Sequence, residues 1–255
     1  MAEVLTDERI AAVLRPFVRA TAPVLDALRE SDPLRLRGRS EELELGESDG
    51  ALRKVLRQLD GMQLPGSSAW DAMSVEDRCD WWASRVGRFL ALVAGLPRFG
   101  GVITSRLPIR NALGITGQGL VLCAIAAEHG VTDRAVKVQL IAKVLLEREL
   151  SAELAAGHAE DDERVSELTE DIEASRHEHG RATPKAVART VWRMARALWE
   201  IDSELGKRPQ GRFYHELLGS VPVVGVVGGY LGERSALRKV GRLGAQWLRR
   251  NGLRR

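Results

Sequence analysis

The chain has 255 residues, 44% of them apolar and 29% charged, and a net charge of +3. That length can bury a sizeable core, and that balance excludes an intrinsically disordered chain. The near-neutral total hides two opposed blocks. Residues 147–178 hold twelve acids against three arginines, whereas residues 233–255 hold eight Arg and Lys against one Glu.

Arginine outnumbers lysine by 32 to 6, the codon signature of a GC-rich and hence, as an expectation, bacterial genome. Cys79 and Cys123 share no metal-ligand spacing and read as helix-borne residues of a reducing cytoplasm. The first residues, MAEVLTDERIAAVLRPFV, lack the apolar run of a secretory signal. The longest uncharged runs, 111–127 and 217–232, fall short of the roughly 20 residues a spanning helix needs, and glycines dilute both. A polytopic membrane protein is disfavoured, but one inserted hairpin or an interfacial attachment remains open.

Thr6 or Asp7 can cap a first helix with Ile10, Val13, Leu14, Phe17 and Val18 inward. Pro16 and Pro23 are expected to kink it or divide it, and Asp32-Pro33 to stop it. Residues 34–45, LRLRGRSEELEL, suit a small hairpin and a linker equally. Asp49 begins a helix with Leu52, Val55, Leu56 and Leu59 on one face. The loop GMQLPGSS then divides the chain into an N-terminal helical appendage with linker, 1–66, and a main α-helical domain, 67–255.

Ser74 with Asp77 predicts a capping box for a helix through Trp81, Trp82, Val86, Phe89, Leu90 and Val93. Another helix runs from about Ile109 to His129 and stops at Gly130. Thr132 or Asp133 caps the next, which carries the stripe Val136, Leu140, Val144 and Leu145. The acidic block continues as a helix with only Val165, Leu168 and Ile172 as seam, so narrow a face that it should project from the body. Thr183-Pro184 opens a helix with Val187, Val191, Met194, Ala195 and Leu198 inward. The predicted class is all-α: an irregular multi-helix bundle with a glycine-rich C-terminal hairpin and a basic terminal helix.

Motifs with chemical content are weak. Gly114, Gly117 and Gly119 imitate a nucleotide loop, but a proline and two arginines stand where the apolar strand should be. Those glycines read better as points of close helix approach. His177 and His179 lack the i, i+4 spacing of helical metal ligands, and Asp161, Asp162 and Glu163 read as surface charge. No serine sits in a nucleophile elbow. The reading is of a non-enzyme with no catalytic, cofactor-binding or metal-binding residue. Core packing is the default for the tryptophans, with Trp82 and Trp247 as candidates for a lipid interface instead.

The tail carries the clearest hint of a partner. Gly225, Gly228, Gly229 and Gly232 repeat at spacings of three and four, which permits close helix packing in lipid or, alternatively, a tight buried hairpin over 222–232. Beyond them Leu237, Val240, Leu243, Gly244, Trp247 and Leu248 form an apolar face. Arg234, Arg238, Lys239, Arg242, Arg249 and Arg250 supply charge beside it. The apolar face with its tryptophan favours lipid or protein over nucleic acid, for which no reading motif is present. A plain terminal helix packed on the core with solvated arginines is the competing expectation.

Two stretches resemble a known family. Pro222-Val-Val-Gly225-Val-Val-Gly228-Gly229-Tyr230 with Val240-Gly241-Arg242 is similar to the C-terminal signature of EcsC-like bacterial proteins. Ile125-Ala126-Ala127-Glu128-His129-Gly130-Val131-Thr132-Asp133 is similar to that family's helix-glycine-helix centre. The resemblance covers roughly 107–150 and 217–248. It implies an α-helical, membrane-associated protein, sometimes linked to transport or secretion, and supplies no catalytic residues.

The expected function is association with the inner face of a bacterial membrane, or with a membrane protein, from the cytoplasmic side. The protein would be peripheral or partly inserted, held by the glycine-rich segment and the basic helix. The alternative is a soluble interaction module whose acidic helix, 159–178, engages a basic protein.

Overall fold

A helix uncharged from residue 111 to residue 127 has no face to offer water, so it must be enclosed. In this computed structural model, which describes residues 6–30, 68–95, 107–205 and 225–253, that helix is the centre of the molecule. The described elements are α1 (Asp7–Glu30), α2 (Ser68–Asp71), α3 (Val75–Gly95), α4 (Leu107–Glu128) and α5 (Arg134–Leu146). They continue with α6 (Ala152–Ala155), α7 (Asp161–His179), α8 (Pro184–Leu205) and α9 (Gly225–Arg250). Among the described residues there is no strand, and the class is all-α.

α4 packs against α3, α8, α9, α5 and α1, and the side chains from Leu120 to Ala126 are buried without interruption. Two of its glycines make this enclosure possible. A Cβ on Gly117 would lie 2.2 Å from Leu90 Cδ1 of α3, and one on Gly119 would lie 2.6 Å from Phe17 Cε1 of α1. They are points of close helix approach, as expected, inside one continuous helix that already begins at Leu107. At the end of α4, Gly130 takes φ 81°, and Val131 N–H donates to Ala126 O at 2.8 Å. That bond closes a Schellman turn. Asp133 then caps α5, accepting from Ala135 N–H at 2.8 Å. The buried stripe of α5 lies slightly round from the expected one: Val138, Leu140, Ile141 and Leu145 are buried, while Val136 and Val144 are half-buried.

α1 is the second hub, touching α7, α5, α8, α4 and α6. Neither proline divides it; Pro16 and Pro23 both lie inside one helix of 24 residues. Each proline removes one backbone hydrogen bond. Burial of Ile10, Leu14, Phe17, Val18, Val24, Leu25 and Leu28 along the whole length opposes that loss. These residues belong to the same core cluster as α4, so Asp7–Glu30 is not set apart as an appendage. The expected boundary near residue 66, the 34–45 hairpin or linker and the helix after Asp49 lie outside the described residues.

α7 does not project. It packs against α1 and α8, with Leu168, Thr169, Ile172 and Ser175 buried. Its thin seam suffices because ion pairs join its flanks to both neighbours. Arg19 meets Asp162 at 2.6 Å, Arg189 meets Asp171 at 3.4 Å, and Arg193 reaches Glu170 at 2.7 Å and Asp171 at 3.0 Å. Below these lies a buried pair. Arg15 donates from Nε to Asp161 Oδ2 at 2.9 Å and from Nη1 to Leu154 O at 3.0 Å. Asp161 also accepts from His158 N–H at 2.9 Å. Asp161 is therefore a buried anchor rather than the surface charge that its acidic neighbours suggested.

Candidate functional site

α9 is one continuous helix from Gly225 to Arg250. The hairpin expected across Gly225–Gly232 is absent from these residues. Small residues at spacings of three and four suit a helix, and no proline follows Pro222 to break it. Gly225, Gly228, Gly229, Gly232 and Arg234 thus occupy the first turns of the helix that carries the other basic residues. Their packing, and residues 217–224, lie outside the described residues.

From Ser235 onward the helix lies against α3, α4 and α5. Leu237, Val240 and Leu248 are buried, and Gly241 and Gly244 bring the backbone close to α4. A Cβ on Gly244 would stand 2.5 Å from Leu122 Cδ2, and one on Gly241 would stand 2.8 Å from Ile125 Cδ1. The apolar face predicted from sequence is therefore largely taken up by the protein's own core. Trp247 packs half-buried at its edge. Leu243 alone among the large hydrophobic residues described is exposed, at 40%.

The charged positions fall into two rows. Arg238, Arg242 and Arg249, four and seven residues apart, share the edge beside α3, and Arg238 Nη2 lies 3.5 Å from Asp80 Oδ2. Lys239, Leu243, Gln246 and Arg250 form the row farthest from the core, and all four are exposed. Lys239, Arg242, Arg249 and Arg250 make no ion pair with any described residue.

Trp82, a candidate for a lipid interface against a default of core packing, is fully buried. Its Nε1–H donates to Glu128 Oε1 at 3.0 Å, and Arg78 Nη1 meets Glu128 Oε2 at 3.4 Å. Arg29 stacks over the Trp82 ring at 5.2 Å and Arg78 over Trp70 at 5.9 Å. Trp81 makes edge-to-face contacts with Trp70 at 5.1 Å and Trp82 at 5.0 Å. This cluster ties α1, α2 and α3 to the end of α4. An indole N–H needs a partner once its ring is buried, and a buried carboxylate needs donors, so each group satisfies the other. The Trp81-Trp82 pair marked the place, but nothing in the sequence named Glu128 as the acceptor.

Neither cysteine is poised as a nucleophile. Burial, aided by Glu128, Glu76 and Asp80, pushes the Cys79 thiol up to about 12. Burial alone pushes Cys123 up to about 11. Both are thiols at neutral pH, and the thiolate is the reactive form. Among the described residues no group of His, Cys, Asp and Glu is placed to hold a metal ion. None of the described helices is long and apolar enough to cross a membrane. Comparison with known proteins finds no matching family model, no matching curated protein and no matching solved structure.

Proposed function

We propose that this is a non-enzymatic bacterial protein that attaches to an anionic membrane surface, or to an acidic face of a membrane protein, through the outer row of α9. The observation that carries the reading is the composition of that row. The exposed Leu243 stands one turn from Lys239 and two turns from Arg250, on a helix whose opposite side is fixed to the core. A cation row around one shallow apolar residue suits headgroups rather than the bilayer interior, at about 1 kcal/mol per Lys or Arg near the surface. The resemblance to EcsC-like proteins and the expected cytoplasmic location belong to the same proposal. The uncharged first turns of α9 stand next to this row in sequence and would extend the contact.

The alternative, an acidic helix awaiting a basic partner, loses ground. Asp161, Asp162, Glu170 and Asp171 already pair with arginines of α1 and α8. Charge reversal in the outer row tests the proposal. Lys239→Glu with Arg250→Glu should weaken co-sedimentation with anionic vesicles at low salt at least tenfold and leave the fold intact. Binding unchanged in that variant overturns the proposed role of α9.

A further inference from the structure

Between α3 and α9 lies a cleft of about 360 Å³, at the small end of the range that holds small molecules, about 300–1,000 Å³. Its two walls have opposite sign. Glu76, Asp77 and Asp80 rise from α3, and Arg238, Arg242 and Arg249 from α9. The floor is open because Gly241 and Ala245, one turn apart, put almost no side chain there. Cys79, Ala83, Ile125 and His129 complete the lining.

Most of this charge is not consumed within the described protein. One ion pair spans the walls, Arg238 with Asp80 at 3.5 Å. Asp77 accepts the hydroxyl of Ser74, the residue just before its helix, at 2.7 Å. Glu76, Arg242 and Arg249 make no ion pair with any described residue. Arg238 Nε is buried and donates to no described acceptor. A buried donor without an acceptor is costly and marks where an acceptor belongs.

We infer that this cleft binds a small zwitterion carrying a phosphate and an ammonium group a few bonds apart. A simple anion would meet the acidic wall and a simple cation the basic one, so each is penalised by half of the cleft. A molecule with both groups satisfies both walls. Phosphate suits the basic wall better than a single carboxylate does, since its oxygens can accept from guanidinium groups on successive turns and from Arg238 Nε. Such a group exists free in solution and as a lipid headgroup. Membrane attachment is not required for this binding, because Arg242 and Arg249 line the cleft and the outer row does not.

Phosphoethanolamine is the probe, titrated calorimetrically into the whole protein beside inorganic phosphate and ethanolamine. The expected result is saturable binding of phosphoethanolamine at least tenfold tighter than either fragment. Glu76→Gln should remove that preference while leaving phosphate binding equal or tighter, and Arg249→Gln should weaken both phosphate-bearing ligands at least fivefold. Ala245→Leu, which fills the floor without changing charge, should abolish the heat. Lys239→Glu with Arg250→Glu should change it less than twofold, which separates a failure here from a failure of the membrane proposal. Vesicles of phosphatidylcholine with or without phosphatidylethanolamine identify the source. A preference for the latter lost in Glu76→Gln assigns a lipid headgroup, and equal binding beside tight phosphoethanolamine binding assigns the free molecule. Absence of saturable binding, or phosphate alone binding as tightly as phosphoethanolamine, overturns the inference.

Discussion

Asp161→Ala should lower the unfolding free energy by about 3–5 kcal/mol, the usual cost of breaking a buried ion pair from one side. Arg15 and Asp161 are both nearly inaccessible, with side chains 10% and 5% exposed. Removing the carboxylate leaves the Arg15 guanidinium with Leu154 O as its sole described hydrogen-bond acceptor, and leaves His158 N–H without its acceptor. Against a typical total of about 5–15 kcal/mol this is a large share. Denaturant unfolding measures it, and a second variant separates charge from shape. Arg15→Met with Asp161→Leu should recover most of the loss, because two apolar residues of similar volume strand no charge. A loss below about 1 kcal/mol in Asp161→Ala would place the pair in solvent and free α7 from α1, as its acidic sequence suggests.

Trp82→Ala should cost a similar amount, about 3–5 kcal/mol, through the cavity that removal of a fully buried indole leaves. Trp82→Phe isolates the polar part. It keeps most of the volume, removes the N–H donated to Glu128 at 3.0 Å, and should cost about 1–3 kcal/mol. The two losses should be unequal in that order. Near-equal losses would make the hydrogen bond to Glu128, not packing, the chief role of Trp82. A negligible loss in both would return Trp82 to a surface position.

Local signals in the sequence were strong enough to place most helices. Pro184 opening α8, Gly130 closing α4, and the inward set Val187, Val191, Met194, Ala195 and Leu198 follow from caps and period alone. Gly117 and Gly119 were legible as packing glycines because no strand could precede them. Most of the misreadings share one cause. The partner of Asp161 lies 146 positions away, and that of Trp82 lies 46 away. An acidic run therefore looked solvated and a tryptophan looked available to lipid. Division of α1 at Pro16 or Pro23 was a fair expectation because the burial that keeps it one helix comes from four other long helices. The hairpin expectation failed over residues 225–232 for a different reason, since glycines at spacings of three and four serve a helix as readily as a turn.

The same limit applies to the candidate surface. The alternation of apolar and basic residues after Gly232 shows an amphipathic helix but not what covers its apolar side. Leu122, Ile125 and Leu140 of the core cover it at Gly241 and Gly244, so the exposed rows are mainly cationic. That geometry predicts electrostatic attachment rather than insertion of the described part of α9, and it leaves the cleft arginines beside the acids of α3.

The most direct test is fractionation of the native protein, with its membranes washed first in high salt and then in alkaline carbonate. A protein held by the outer row of α9 should sediment with membranes at low salt and leave them in the high-salt wash. Retention through both washes would show an inserted segment, and recovery wholly in the low-salt supernatant would show no membrane attachment; either result contradicts electrostatic attachment through α9.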